Sequence, residues 1–450
     1  MATAETIVAQ PLAAHEAHIT EQKKKTAHKF WSDYLCGIIG PLIEHSGSYT
    51  PEQKARHLQF LVDHVAPTLG PLPSEPRAQY TQTYVDSPFE PSLNLTSSNK
   101  VKVRYGLEVV KPAPGADGGV DGSDPFGEKR AREVLLQLAR ASGADTKWIT
   151  SALDQFFLTP EETERMRHRL PTFMPSALLA FDLGTTETMM KVYIIAMRKA
   201  LAVGSPSSNL FTLEALRRLE PWGHKMGPGL DIIADYLSNV KYNAMLIFVG
   251  IDCVDPTVNS GARVKVYFHT SSNSFAVASD VMTLGGRLTD ETSLKRVEIL
   301  RTLWPLLRNE KPGQDGRPDP EADPEAWEKW EKPERITGTP LSGLQYNVEL
   351  SPSKPGSLEM KCYVPLFQHN ATAGESEASM EKVLDKLQHD WGSSTGKYST
   401  AVRAAYGKDR VSPTFVSFSY SKSKGPYMSS YIPGVLNVGA EIEAGNWKYA

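Results

Sequence analysis

The chain has little cysteine, no long apolar run and no excess of basic charge, and each shortage removes a class of explanation. Three cysteines in 450 residues, Cys36, Cys253 and Cys362, are widely spaced and form no CxxC pair. That excludes a disulfide scaffold and a zinc ribbon, and it points to a reducing compartment. No stretch approaches the roughly 20 apolar residues that a membrane span requires. Met1 to Thr20 lacks the shape of a secretory signal. A cytoplasmic chain without membrane attachment is therefore expected. The formal net charge is −3 with no basic tail, which argues against a nucleic-acid partner, since a phosphate-backbone binder carries a net basic surface. Histidines are scattered without metal-ligand spacing, and no Gly-x-Ser-x-Gly elbow occurs. Gly392 to Lys397 resembles a phosphate-binding loop but is one residue short and follows a helix instead of a strand.

What is present is a pattern of cations and phenols on strands. Ala262-Arg263-Val264-Lys265-Val266-Tyr267-Phe268 alternates strictly, as a β-strand does. Its Arg263, Lys265 and Tyr267 share one face and its Val264, Val266 and Phe268 the other. Four further stretches repeat the pattern: Lys102 with Arg104, Lys191 with Tyr193, Lys361 with Tyr363, and Tyr427 with Tyr431. An ordinary solvated strand face mixes in carboxylates. These positions hold none, so the five strands are expected to converge on a shared anion.

Along the chain, residues 1–25 read as a polar, disordered tail, and residues 26–450 as a single domain. Helical spacing covers about Ala27–Glu44 and the segment opened by Pro51. Strands are expected at Gln79–Val85, Glu90–Leu95 and Val101–Val110. Four further hairpins are expected: Ala177–Leu183 with Glu187–Met197, Ala244–Val254 with Ala262–Thr270, Gln345–Leu350 with Leu358–Leu366, and Thr414–Ser421 with Tyr427–Ile432. Helical segments separate them. The result is a weak repeat of helix, hairpin, helix, five times over, an α+β arrangement. Ten antiparallel strands ringed by helices are expected to close into a barrel, which removes the sheet edges. The apolar faces then look outward to the helices, and the Lys, Arg and Tyr faces line a solvated lumen larger than that of an eight-stranded barrel. Several cations suit a diphosphate through charge-assisted hydrogen bonds. Tyrosine faces suit a carbocation through their quadrupole. Both are needed when an isoprenyl diphosphate ionises.

On these residues the chain resembles the fungal aromatic prenyltransferases of the dimethylallyltryptophan synthase superfamily, whose αββα repeats build a ten-stranded barrel. The matching pieces run from Trp31 to Tyr431. They include Ser87 to Asn94, the Arg104 strand, Ser123-Asp124-Pro125-Phe126, Lys191-Val192-Tyr193, Asp252 to Pro256, Arg263 to Tyr267, Thr283-Leu284-Gly285-Gly286, and Val416 to Tyr431. The resemblance implies diphosphate binding by Arg104, Lys191, Arg263, Lys265, Lys361 and Lys422. It implies a cation shield of Tyr193, Tyr267, Tyr363, Tyr427 and Tyr431, and a catalytic Glu90 that accepts the indole N–H. Lys191 is a second catalytic candidate, as acceptor of the ring proton. The implied reaction is metal-independent transfer of a dimethylallyl group from dimethylallyl diphosphate, the co-substrate, to an indole: tryptophan, a cyclic dipeptide or an indole alkaloid. No cofactor is implied, and the Asp-Asp-x-x-Asp motif of magnesium-dependent prenyl synthases is absent. The alternatives are a phenolic or polyketide acceptor, or a non-catalytic barrel carrying an anionic amphiphile. A homodimer is compatible with the sequence. Met282 stands where relatives usually have Trp, and Phe415 where many have Tyr; both are expected to reshape the substrate pockets.

Overall fold

The computed structural model describes residues 4–70, 83–85, 87–109, 124–170, 175–338 and 341–436, with the side chains of 4–20 excepted. The expected strand at 79–85 falls largely outside the described residues, as does most of the loop 112–126; Thr83 to Val85 form a turn. Ten strands follow in hairpins: β1 (Phe89–Thr96), β2 (Val101–Glu108), β3 (Ala177–Leu183), β4 (Thr188–Ile194), β5 (Ala244–Asp252), β6 (Val264–Thr270), β7 (Leu344–Leu350), β8 (Glu359–Val364), β9 (Phe415–Ser421) and β10 (Gly425–Tyr431). Each pairs antiparallel with its sequence neighbours, and β10 returns to β1, so the sheet is a closed barrel.

Closure follows from the alternation. Val103, Tyr105 and Leu107 on β2, Met190, Val192 and Ile194 on β4, Val264, Val266 and Phe268 on β6, and Met360, Cys362 and Val364 on β8 all face outward and are buried. They pack beneath the helices, such as Glu128–Ser142, Glu291–Leu307 and Lys397–Tyr406, in one continuous apolar cluster. The hydrophobic core is therefore a shell around the barrel. Each outward apolar side chain contributes about 1.5–3 kcal/mol of burial, and the inward faces are left for polar chemistry.

Two expectations need correction. Residues 4–25 are not a disordered tail: one helix runs Ala4–Ser46. Alanine is the best helix former, and the Ala-rich stretch 4–17 continues without a break into the segment where Trp31, Leu35, Ile39 and Leu42 bury. Polar composition alone concealed this. Met282 does not reach the lumen; it is fully buried in the apolar shell at the end of the helix Phe275–Met282.

Candidate functional site

The lumen is layered, and the layers follow from strand parity. On each of three even strands a cation is followed two residues later by a tyrosine: Lys191 and Tyr193, Lys265 and Tyr267, Lys361 and Tyr363. The cations form one tier and the tyrosines the next. Arg104 on β2 belongs to the first tier, but Gly106 stands where a tyrosine would come. Gly106 lies in register with Glu90 on one side and Ala180 on the other. This break in the phenol tier opens space beside Glu90.

The cation tier is not free of anions, as the five strands taken alone implied. The intervening odd strands supply Asp182, Asp252 and Glu349. Asp182 contacts Lys191 Nζ at 2.6 Å and Arg104 Nε at 3.1 Å. Asp252 accepts from Arg263 Nε at 2.8 Å and Lys265 Nζ at 3.3 Å. Glu349 accepts from Arg263 at 2.9 Å and lies 3.6 Å from Lys361 Nζ. Five cations contact three carboxylates, so these eight groups, fully protonated at the cations, carry a surplus of two positive charges in a site shielded from water. Glu359, opposite Glu349, lies at the edge of the tier and accepts from the Tyr427 hydroxyl. Register interleaves the two signs: Arg104 lies opposite Asp182, with which it pairs, while Lys191 lies opposite Asp252 and Lys265 opposite Glu349. Each of these lysines therefore has carboxylates on both neighbouring strands and reaches its ion-pair partner diagonally.

Burial strains these charges. It brings Lys191 down to about 7, with Asp182 only partly offsetting it, and Lys361 down to about 8 against the pull of Glu349. Burial also opposes ionisation of Asp182, but Arg104 and Lys191 outweigh it and hold that carboxyl well below the usual range. Glu349 behaves alike, through Lys265, Lys361 and Arg263. An entering prenyl diphosphate favours the charged lysines, so its binding must take up protons at pH 8, where the ester's own last ionisation, near 6, is complete. The expected result is affinity that falls as pH rises from 7 to 9. Calorimetry in buffers of differing ionisation enthalpy should report net proton uptake, and release would contradict the assignment.

The phenols form a chain of rings: Tyr193 to Tyr267 at 5.8 Å, Tyr267 to Tyr363 at 5.9 Å, and Tyr363 to Tyr431 at 5.9 Å between centroids. Phe248 packs on Tyr267 at 4.4 Å and Phe415 lies 6.4 Å from Tyr363. Burial raises all four hydroxyls above the usual phenol value. Neutral rings can stabilise a carbocation without offering a phenolate to trap it. Gly250 lets Tyr193 and Tyr267 close up: a Cβ there would meet Tyr193 ring carbons at 3.1 Å and Tyr267 at 3.2 Å. Gly250→Ala should part these rings and admit water. The expected readout is a several-fold rise in hydrolysed prenyl alcohol relative to transferred prenyl product.

Glu90, Arg104, Asp182, Lys191, Tyr193, Tyr267, Tyr363, Phe415 and Tyr431 line one chamber of about 540 Å³. Among the expected cations, Arg263, Lys265 and Lys361 are not part of that lining and stand behind it, paired with Asp252 and Glu349; two further expected residues lie apart from both. Lys422 lies in the β9–β10 turn with 66% of its side chain exposed, paired with Glu291. Tyr427 is outside the ring chain: its hydroxyl donates to Glu359, and its face lies under Lys361 Nζ at 4.9 Å. The resemblance alone suggests Lys422; parity places Tyr427 on the inward face, but parity does not give depth along the barrel. The missed residues were the three carboxylates and Phe248. The register shift between Leu246 and Phe248 brings Leu246, Ile247 and Phe248 all to the chamber wall, as a bulge does.

A closed antiparallel barrel whose lumen sets phenols over a cation tier defines an aromatic prenyltransferase. The family described as tryptophan dimethylallyltransferase matches residues 27–401, and the chain belongs to it. It is 44% identical to the indole prenyltransferase tdiB of Emericella nidulans, over 90% of this chain and 95% of that protein. It is 33% identical to the indole diterpene prenyltransferase terF of Tolypocladium album, over 97% of this chain and all of that protein. Among solved structures, AnaPT from Neosartorya fischeri superimposes with a TM-score of 0.71 at 24% identity, covering 92% of this chain and 94% of that one.

Proposed function

We propose that this chain transfers a dimethylallyl group from dimethylallyl diphosphate to an indole carbon by electrophilic aromatic substitution. The observation that carries it is the single chamber in which cations, stacked phenols and Glu90 meet; the names of the two curated relatives support the indole. Arg104, Lys191, Arg263, Lys265 and Lys361 hold the diphosphate. As the C–O bond breaks, the charge on the leaving diphosphate is met by groups already in place, which is where preorganised electrostatics lowers a barrier. The allyl cation rests against Tyr193, Tyr267, Tyr363 and Tyr431. The barrel wall keeps away the water that would quench it. Glu90 accepts the indole N–H and stabilises the positive charge that spreads into the ring on attack. Lys191 is charged while it holds the diphosphate; with its affinity for the proton lowered by burial, it gives that proton to the leaving diphosphate and takes the ring proton in its place once a new C–C bond has formed.

The surplus positive charge of the tier supplies what a divalent cation supplies elsewhere, which supports a metal-independent reaction without a cofactor. All five hairpins contribute to one lumen, which supports reading residues 26–450 as one domain. Each named group comes from the same chain, so a homodimer is compatible but not required. No helix among the described residues is long and apolar enough to cross a membrane, in keeping with the cytoplasmic location proposed from the sequence. Incubation with dimethylallyl diphosphate, an indole panel and excess EDTA tests the proposal. A prenylated indole of the expected mass, at a rate unchanged by EDTA, is the predicted result. Diphosphate binding without any prenylated aromatic would restore the carrier.

A further inference from the structure

We infer that the acceptor is an indole whose 3-substituent is uncharged and apolar, in preference to free tryptophan. The inference rests on the indole reading above and follows from how the chamber changes along its axis. The carboxylates Asp182, Asp252 and Glu349 sit toward the C-terminal ends of their strands. Two of these strands, β3 and β5, begin in apolar residues, and β7 brings the neutral amide of Gln345 to the same end, so the charged groups collect at one end of the lumen and uncharged groups at the other. At that end the wall is built by Leu178, Met197, Ile247, Phe248, Leu341 and Phe415, with Gln345 as an uncharged polar member. Glu90 lies at the start of β1, on this side of the cation tier, beside the gap that Gly106 and Ala180 leave.

Diphosphate occupies the cation tier during turnover. An indole ring held by Glu90 then leaves only the apolar end for the rest of the acceptor. Among the described residues lining the chamber, Arg104 and Lys191 are the cations, and both contact Asp182. A tryptophan carboxylate would have to share them with the diphosphate or lie without a cationic partner among apolar side chains and the neutral Gln345. Its ammonium would compete for Glu90. Desolvating each ion costs several kcal/mol when it is not repaid by a partner. An apolar substituent gains from the same wall.

Calorimetry on the wild-type protein holding dimethylallyl thiolodiphosphate, which does not turn over, gives a readout independent of catalysis. 3-Benzylindole should bind on the order of 100-fold more tightly than tryptophan. Leu341→Arg, which places a cation in the apolar end, should narrow that ratio at least tenfold, by raising tryptophan affinity. Equal or tighter binding of tryptophan by the wild-type protein overturns the inference and leaves the indole reading standing. Failure of both indoles, with a phenolic acceptor binding instead, sinks the indole reading itself.

Discussion

Glu90→Gln is expected to lower turnover on an indole by about 10²- to 10³-fold while leaving diphosphate affinity within about twofold. The substitution keeps the shape of a buried side chain on an inward strand position, so the barrel should fold unchanged. What it removes is charge. During attack the indole nitrogen becomes more positive, and a carboxylate beside it in a water-poor chamber interacts with that change far more strongly than an amide does. The loss should therefore fall on kcat. Diphosphate affinity should hold, because the cations that bind it lie in a separate tier and pair with Asp182, Asp252 and Glu349. Calorimetry with inorganic diphosphate and chromatographic product assays measure the two effects separately. Turnover within threefold of wild type would remove Glu90 from the mechanism. A collapse of diphosphate affinity would show that the tiers are not independent.

Much of this site was legible because a strand repeats every two residues. Lys191 with Tyr193, or Lys265 with Tyr267, announces an inward polar face before any fold is known, and five such strands imply closure. The carboxylates were hidden for a physical reason. Asp182 in Leu-Ala-Phe-Asp-Leu and Asp252 in Val-Gly-Ile-Asp-Cys are isolated acids at the ends of apolar strands, and each looks like an ordinary strand terminus. Only cross-strand register shows that they face Arg104, Lys191 and Lys265. Depth was hidden likewise. Tyr427 and Tyr431 share a face of β10, yet three intervening residues separate a tyrosine bonded to Glu359 from one in the ring chain. The Phe248 contact depends on a bulge, and nothing in the run Met245 to Val249 marks where the extra residue falls.

The hidden carboxylates make the second large effect a paired one. Lys191→Met should weaken diphosphate binding by about 100-fold or more, since it removes a buried charge-assisted contact. It should also lower stability by about 3 kcal/mol, because Asp182 stays buried with Arg104 as its remaining close partner and an under-compensated buried carboxylate is costly. Adding Asp182→Asn removes that carboxylate, so most of the stability should return. Binding is the informative part. When all five lysines and arginines are protonated, the wild-type tier and the double variant both carry a surplus of two charges, and the single variant carries one. If net charge alone drew in the diphosphate, the double variant would recover wild-type affinity. Charge-assisted hydrogen bonds depend on where the donor sits, and a methionine has none to give. The expected recovery is therefore less than tenfold, and proton uptake at pH 8 should shrink with it, because the lysine brought to about 7 is gone. Denaturant unfolding and calorimetry on the wild type and both variants resolve the terms. Full recovery of affinity would mean that the barrel works as a diffuse positive field, and that the register pairing of Lys191, Asp182 and Arg104 serves the fold alone.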